Sequence, residues 1–509
     1  MQAFPVPAVR RLLAIPEVLA QVAEETWSSK SLAALARTCR DFCSPALDKL
    51  WQHQPGLENI VKCMPADLWE MQPTHDDDGS STIIFQRPLR PEDWVRFDVY
   101  ALRIRELCIG FRRLYYEVGR PKLSSEALVT LDQYNPSKAL FPNLRYLYLS
   151  SITDTDVVPY RRLFLSPALL DLVIEWEVFD VNAAALLDHL SAHCQSVRIL
   201  NIATQQEESW SSPGPVEIRA GIFDSLKALH ILSFISAVPL PAAAFMELQS
   251  LPHLTDLHIS ILDEPASPWT FPVATEFRPF RALQLFFIRC SQVTDCSKVL
   301  AAFSFPVLEG LTIRAGEFGS LGHLFRIIRD NCSHTSLCHI SICWCDLFDQ
   351  DPGPVEATAS DFRNLYAFHE LQVLSVETFN EIRLTDDDLR DMALSWPYLE
   401  SLKLLPSKDK ERPPETIRHC PRLHTLHIGI DTSQADAARI IEALSGAGPM
   451  RDPNEVAMSL AIIFRRLEKF IGGYPQENSP EWKPTELLLP ACASYVASHT
   501  VYVESPHSE

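Results

Sequence analysis

Short apolar segments of the pattern Leu-x-x-Leu-x-Leu, with Ile, Val or Phe replacing some leucines, recur about every 24 to 34 residues along this chain. Eleven copies begin at Leu144, Leu169, Val197, Leu226, Leu254, Leu283, Leu308, Leu337, Leu371, Leu399 and Leu423, and Ile104–Ile109 is a candidate for a twelfth. A sustained period of this length is typical of a repeat array, in which each unit buries its apolar side against the next. The pattern therefore predicts a solenoid.

Each copy predicts a short strand whose Leu and Ile side chains point inward while the residues between them face outward. Helices are predicted between some strands, at residues 183–192, 321–330, 385–395 and 433–444. Strand followed by helix at this period indicates an α/β fold, with parallel strands inside and helices and loops outside. We assign residues 99–430 to this solenoid, as about 11–12 repeats, and residues 431–509 to a C-terminal cap and tail.

The residues before the array follow a different pattern. Residues 12–51 carry three apolar stripes at spacings of three and four, which predict a small all-α module within residues 1–60. Residues 61–98 are interpreted as a linker, because the acidic, Gly- and Ser-containing stretch around 72–93 is typical of a solvated loop. A carboxylate metal site in this stretch is the less favoured interpretation.

Charge and composition restrict the class of partner and the compartment. The net charge of −20 disfavours binding to nucleic acid, since a strongly acidic chain repels phosphate backbones. No uninterrupted apolar run reaches the roughly 18 residues of a membrane span, and Met1–Pro7 lacks the charged start of a secretory signal. The 13 cysteines follow the repeats, which predicts reduced thiols and a location in the cytoplasm, the nucleus or both.

Two segments carry a resemblance to known families. The ladder, with prolines placed as in Phe141-Pro142 and Trp396-Pro397, resembles leucine-rich repeats of the cysteine-containing, ubiquitin-ligase type, most closely over residues 384–404. Residues 15–22 and 30–51 look like an F-box, although Ile15 stands where that family usually has Leu. The chain thus resembles F-box/leucine-rich-repeat proteins of mushroom-forming fungi, with a solenoid preceded by an F-box-like module.

This resemblance implies the substrate-recognition subunit of an SCF-type (Skp1–cullin–F-box) ubiquitin ligase. Such a subunit carries out no bond chemistry, so no catalytic residue, cofactor or metal is expected. The helical module is expected to dock on a Skp1-like adaptor of the cullin ligase, as amphipathic helices dock in grooves. The expected adaptor contacts are Pro16, Glu17, Leu19, Leu32, Leu35, Cys39 and Phe42.

The expected site for an unknown target protein is the concave face, formed by the outward residues of the strands. Aromatic and arginine side chains are common anchors of protein interfaces. The principal candidates are Tyr146, Tyr148, His230, His258, Phe287, Arg289 and Arg314, and further outward residues are Asp171, Asn201, Asp256, Lys403 and His427. His230 and His258 are predicted to be neighbours on adjacent strands.

Two alternatives stay open at this stage. The first is a leucine-rich-repeat scaffold that binds proteins independently of any ubiquitin ligase. The second is a hydrolase or metal enzyme hidden among the repeats. It is suggested by His189, His193 and Cys194 at helical ligand spacing, and by Cys332, Cys338, Cys343 and Cys345 together with His334 and His339. The first group lacks the glutamate of a metalloprotease helix, and the second straddles a predicted strand that would separate its members.

Overall fold

The computed structural model describes residues 15–73, 81–109, 121–135, 139–150, 160, 163–176, 181–204, 218–219, 221–236, 240–261, 278–317, 320–344, 357–377, 382–384, 386–405, 425–428 and 469–472. The chain divides into two compact units, Met1–Val238 and Pro239–Glu509. No helix within the described residues is both long enough and apolar enough to span a bilayer.

The first unit begins with helices and continues as a sheet. Its helices are α1 (Pro16–Glu24), α2 (Ser29–Ala36), α3 (Arg40–Gln52), α4 (Glu58–Val61), α5 (Trp94–Ala101), α6 (Ser125–Tyr134) and α7 (Val181–His193). Its strands are β1 (His53–Gln54), β2 (Trp69–Pro73), β3 (Ser81–Phe85), β4 (Glu106–Ile109), β5 (Lys122–Leu123), β6 (Tyr146–Ser150), β7 (Asp171–Trp176), β8 (Ile199–Thr204) and β9 (Ile231–Ile235).

The second unit alternates strands and helices. Its helices are α8 (Ala242–Leu248), α9 (Val293–Ala302), α10 (Leu321–Asn331), α11 (Ala359–Phe362) and α12 (Asp386–Ser395). Its strands are β10 (Asp256–Ile261), β11 (Arg278–Pro279), β12 (Leu285–Gln292), β13 (Phe303–Ser304), β14 (Gly310–Glu317), β15 (His339–Trp344), β16 (Ala357–Thr358), β17 (Val373–Glu377), β18 (Ile382–Arg383), β19 (Ser401–Leu405), β20 (Thr425–Ile428) and β21 (Lys469–Gly472).

The predicted repeats form parallel strands in each unit. In the first unit the sheet runs β1-β4-β6-β7-β8-β9, and in the second it runs β10-β12-β14-β15-β17-β19-β20-β21, with every neighbouring pair parallel. Parallel neighbours in sequence order are the arrangement that a strand-and-return repeat produces. The α/β repeat architecture predicted from the ladder is confirmed.

The sheet reaches further at both ends than the predicted array. β1 lies inside the segment assigned to the helical module. It pairs with β4, which is part of the candidate twelfth copy. β21 pairs with β20 within the segment assigned to the cap and tail. The pattern there is degenerate, since Leu467 and Phe470 keep their positions but Gly472 replaces the last apolar residue.

Side-chain alternation along the strands creates one apolar side and one solvent-facing side. In β12, Phe286, Ile288 and Cys290 are at most 1% exposed, whereas Leu285 is 45% exposed. Helices cover the apolar side, because α9 contacts β12, β14 and α10. The helices predicted at 183–192, 321–330 and 385–395 correspond to α7, α10 and α12, while the one predicted at 433–444 lies outside the described residues.

The stretch interpreted as an acidic linker loop contains ordered structure. β2 and β3 pair antiparallel on either side of residues 74–80, and β5 joins β3 in parallel. Arg87 then donates hydrogen bonds of 2.7 and 2.9 Å to the two carboxylate oxygens of Asp93, whose side chain is buried. The loop interpretation was wrong for these flanks, because the β-branched run Thr82–Ile84 favours a strand more strongly than the neighbouring polar residues favour a loop.

We expect the two sides of β12 to differ sharply in their contribution to stability. Phe286→Ala empties a fully buried site whose ring centroid lies 5.5 Å from that of Phe305, and it should cost about 3–5 kcal/mol. Phe287→Ala, one residue away on the solvent-facing side, should cost roughly 1–2 kcal/mol. Urea unfolding of both variants measures the difference, and equal losses would contradict the one-sided core.

Candidate functional site

The helical module places its predicted adaptor contacts in three different environments. Pro16 and Glu17 are exposed in the first turn of α1, and Cys39 is exposed between α2 and α3. Leu35 and Phe42 are half-buried, and Leu35 packs against the core of the module formed by Ala23, Leu32 and Ala46. These side chains remain candidate contacts.

For Leu19 and Leu32 the prediction of an adaptor contact was wrong. Each is only 5% exposed, so both stabilise the module from inside and offer no surface to a partner. Phe42 does not share a helix with Leu32 and Leu35, because α2 ends at Ala36 and Phe42 belongs to α3. Cys39 has an extended backbone, with φ −156° and ψ 167°, which separates the two helices.

Sequence reasoning missed the largest exposed apolar side chain of the module. Trp27, in the turn between α1 and α2, is 92% exposed, and Ile15 and Val22 are 43% and 38% exposed. An isolated tryptophan in a polar turn carries no periodic signal, and Val22 fits the helical stripe as a core residue. Together these three residues form the exposed apolar set of the module.

The module is joined to the sheet by contacts within the first unit. The rings of Trp51 on α3 and Tyr100 on α5 stack with centroids 4.4 Å apart. Arg105 N–H donates a hydrogen bond of 2.9 Å to Gln52 O, and Arg103 forms an ion pair with Asp48. Because β1 follows α3 without a linker, the last helix of the module continues directly into the sheet.

The solvent-facing side of the first sheet carries the two predicted tyrosines. Tyr146 and Tyr148 lie two residues apart on β6, and Tyr146 is 38% exposed. Their strand neighbours are Glu106 and Cys108 on β4. Burial, with nearby carboxylates as a smaller contribution, raises the pKa of Tyr148 to about 12, so the phenol is neutral at physiological pH.

His230 does not occupy the predicted position. The strand register pairs Leu200 with Leu232 and Ile202 with Phe234, so the repeat in this segment begins at Leu229 and not at Leu226. His230 therefore precedes β9, and its Nδ1 lies 2.7 Å from Ala228 O within the same turn. The prediction that placed His230 on a strand beside His258 was wrong about His230, because two overlapping Leu-x-x-Leu spacings exist here and the strand register follows the later one.

A row of arginines at the start of the first unit's strands was also missed. Arg105, Arg145 and Arg198 are exposed and come immediately before β4, β6 and β8; backbone hydrogen bonds link Arg145 to Arg105 directly and to Arg198 through Leu170. The predicted candidates were outward residues within the strands, and these arginines precede the strands. Exposed guanidinium groups in a row form a local electropositive strip in an otherwise acidic chain.

In the second unit, Phe287 is the centre of the predicted face. Its ring centroid lies 5.4 Å from that of His258 on β10 and 5.4 Å from the guanidinium carbon of Arg314 on β14. The register places Arg289 beside Arg314, with Cys343 next in the row. The structure thus brings together aromatic and cationic side chains on adjacent strands, namely His258, Phe287, Arg289 and Arg314.

The remaining outward candidates are ordinary polar surface. Asp171, Asn201, Asp256 and Lys403 are half-buried on the solvent-facing side, and Lys403 Nζ lies 3.5 Å from Glu377 Oε1. The side chain of His427 lies outside the described residues.

Within the described residues, neither group considered for metal binding brings three ligands together, although the ring centroids of His189 and His193 lie 4.4 Å apart. Cys194 and Cys332 are buried, and burial raises the pKa of each thiol to about 12. Cys338 precedes β15, whereas Cys343 faces outward from it. Cys345 lies outside the described residues.

This chain is similar in structure to solved leucine-rich-repeat proteins. No known family and no curated protein matches the sequence. A leucine-rich-repeat protein of Leptospira interrogans aligns over 79% of this chain and 81% of its own, with 12% identity and a TM-score of 0.30. The leucine-rich-repeat ectodomain of the plant membrane receptor kinase GASSHO1/SCHENGEN3 from Arabidopsis thaliana, in complex with CASPARIAN STRIP INTEGRITY FACTOR 2, aligns over 64% of this chain and 39% of its own, with 14% identity and a TM-score of 0.25.

We expect His258 to make the stability of the second unit depend on pH. Burial lowers the pKa of His258, partly offset by Asp256. The folded chain therefore resists protonation, and stability present above the ordinary pKa of about 6.5 is lost as the pH falls below it. Urea unfolding between about pH 7.5 and about pH 5.5 should show a smaller loss for His258→Gln than for the wild type. His339→Gln, which removes an exposed imidazole from the same side of the sheet, should not reproduce this effect.

Proposed function

We propose that this chain is a non-enzymatic substrate-recognition subunit of an SCF-type ubiquitin ligase, acting in the cytoplasm or nucleus. The helical module binds a Skp1-like adaptor, through which the cullin ligase is recruited. The solvent-facing side of the sheet binds the target protein. The contribution of the chain is to hold the target close to a ubiquitin-charged enzyme and to raise its effective concentration.

The exposed apolar set of the module carries this proposal. A 92% exposed tryptophan has no role in the core of α1, α2 and α3, and tryptophan is among the residues that most often anchor interfaces. The core of the module is small, with Ala23, Leu32 and Ala46 at its centre. Burial of Ile15, Val22 and Trp27 against a partner groove would supply apolar contact that the module lacks by itself.

The direct continuation of α3 into β1 supports the same function. A receptor that presents a target to a separate enzyme benefits from a fixed orientation between its adaptor-binding and target-binding parts. The Trp51–Tyr100 stack and the hydrogen bond from Arg105 N–H to Gln52 O restrict rotation between the module and the first strands.

The solvent-facing residues support a protein target. Phe287 is flanked by Arg314 and His258, and Tyr146 and Tyr148 provide a second aromatic pair in the first unit. Interfaces are enriched in aromatic and arginine side chains at their centres. The arginine row further favours an acidic region on the target by charge complementarity.

Trp27→Ala should weaken binding to a Skp1-like adaptor without unfolding the chain. Loss of an interface anchor costs about 2 kcal/mol or more, which is a roughly 30-fold weaker affinity. Stability should change by less than about 0.5 kcal/mol, because the ring is almost fully exposed. Co-purification with the adaptor and a binding titration measure the first effect, and urea unfolding measures the second.

Leu394→Ala is the matched control for Trp27→Ala. Leu394 is 61% exposed on α12, so the substitution removes an exposed apolar side chain of the second unit. Adaptor binding should be unchanged in this variant. If the intact chain does not associate with the adaptor at all, the ligase proposal is wrong and a protein-binding scaffold outside any ligase becomes the better explanation.

The target-binding surface can be tested independently of the adaptor. Proteins that accumulate with the chain when the proteasome is blocked should be reduced about tenfold or more by Phe287→Ala/Arg314→Ala or by Arg145→Glu/Arg198→Glu. Both variants should still bind the adaptor, and quantitative mass spectrometry of captured proteins measures the reduction. Retention of the same proteins by both variants would exclude the solvent-facing side as the target site.

A further inference from the structure

Three side chains able to bind a metal meet on the first two strands of the sheet in the first unit. β1 pairs with β4 so that His53 lies opposite Glu106, and Cys108 follows two residues later on the same side of β4. His53 Nδ1 is 3.1 Å from Glu106 Oε1, and ligand atoms of the three residues all lie within 4.8 Å of one another. Within the described part of the chain, this is the one group of three or more such residues.

The three groups form a ligand set suited to zinc. An imidazole nitrogen, a carboxylate oxygen and a thiolate sulfur all bind Zn²⁺, and cobalt and nickel accept the same ligands. With metal–ligand distances of about 2.0–2.3 Å, tetrahedral ligand atoms lie roughly 3.3–3.6 Å apart. The separation of His53 from Glu106 already falls close to this range, and rotation about side-chain bonds can adjust the thiol.

The surroundings of these residues are crowded with groups that carry or develop negative charge. Asp171 lies two strands away from Glu106, with Tyr146 between them in register, and its buried Oδ1 has no hydrogen-bond partner among the described residues. A bound cation would favour the ionised carboxylates and offset their repulsion.

The site is open to an ion from solvent, because the side chains of His53 and Glu106 are 47% and 34% exposed. A surface ion pair between the two residues is the simpler explanation, and it is worth at most about 1 kcal/mol. The two explanations differ in whether the Cys108 thiol takes part, so substitution of Cys108 distinguishes them.

We propose that His53, Glu106 and Cys108 bind one divalent transition-metal ion of the zinc type, with water as a further ligand. His53 immediately follows α3, so the ion would cross-link the end of the helical module to the second strand of the sheet. The site would then stabilise the orientation of the module in a metal-dependent way. This inference does not depend on the adaptor or ligase proposal.

Cobalt titration of the full-length chain, after treatment with a chelator, tests the site directly. One equivalent of Co²⁺ should produce a thiolate-to-cobalt charge-transfer absorption in the near ultraviolet, and Cys108→Ser should abolish it. Cys338→Ser is the matched control, because Cys338 Sγ lies 3.5 Å from His339 Nδ1 in the other unit and forms a comparable Cys–His pair. The absorption should persist in that control.

Zinc-dependent stability provides a second measurement that needs no spectroscopic band. Zn²⁺ should raise the thermal unfolding midpoint of the wild type and of Cys338→Ser, but not of Cys108→Ser. Glu106→Gln keeps the shape of the side chain and should weaken binding about tenfold or more, with circular dichroism confirming that each variant is folded. A wild-type chain without a stoichiometric thiolate band, or an equal band in Cys108→Ser, would show that the cluster is only the His53–Glu106 ion pair.

Discussion

Parallel pairing of very short strands is the constraint on which the remaining structure depends. A strand of five or six residues buries two or three apolar side chains, which is too little to be stable alone. Stacking in register places each buried residue against its counterpart in the next strand, as Leu147, Leu172, Leu200 and Leu232 do in the first unit. The sheet in each unit therefore gains stability from its neighbours, strand by strand.

The same register determines where binding residues can lie. Because alternate residues face opposite sides, the inward leucines leave a row of outward side chains across adjacent strands. His258, Phe287 and Thr312 form one such row, and Arg289 and Arg314 begin the next. A surface built this way can vary in chemistry from strand to strand without disturbing the core, which suits the recognition of a macromolecule.

The prolines and leucines of the ladder were sufficient to predict the sheet, but less reliable where two spacings overlapped. Around residue 230 the sequence offers Leu226, Leu229 and Leu232, and all three are fully buried, so only the strand register separates the true repeat from its shifted copy. In the helical module, spacing placed Leu19 and Leu32 on apolar helix faces, but it could not distinguish core residues from residues that contact a partner. The hairpin formed by β2 and β3 was missed because polar composition between the strands dominated the interpretation.

The sequence by itself determined the repeat period, the inward apolar residues and the three N-terminal helices, because these depend on local spacing along the chain. Tertiary structure alone decided that Trp27 is exposed, that arginines from separate repeats form a row, and that His53, Glu106 and Cys108 meet. The physical reason is distance along the chain. His53 and Glu106 are far apart in sequence, and only the pairing of β1 with β4 makes them neighbours.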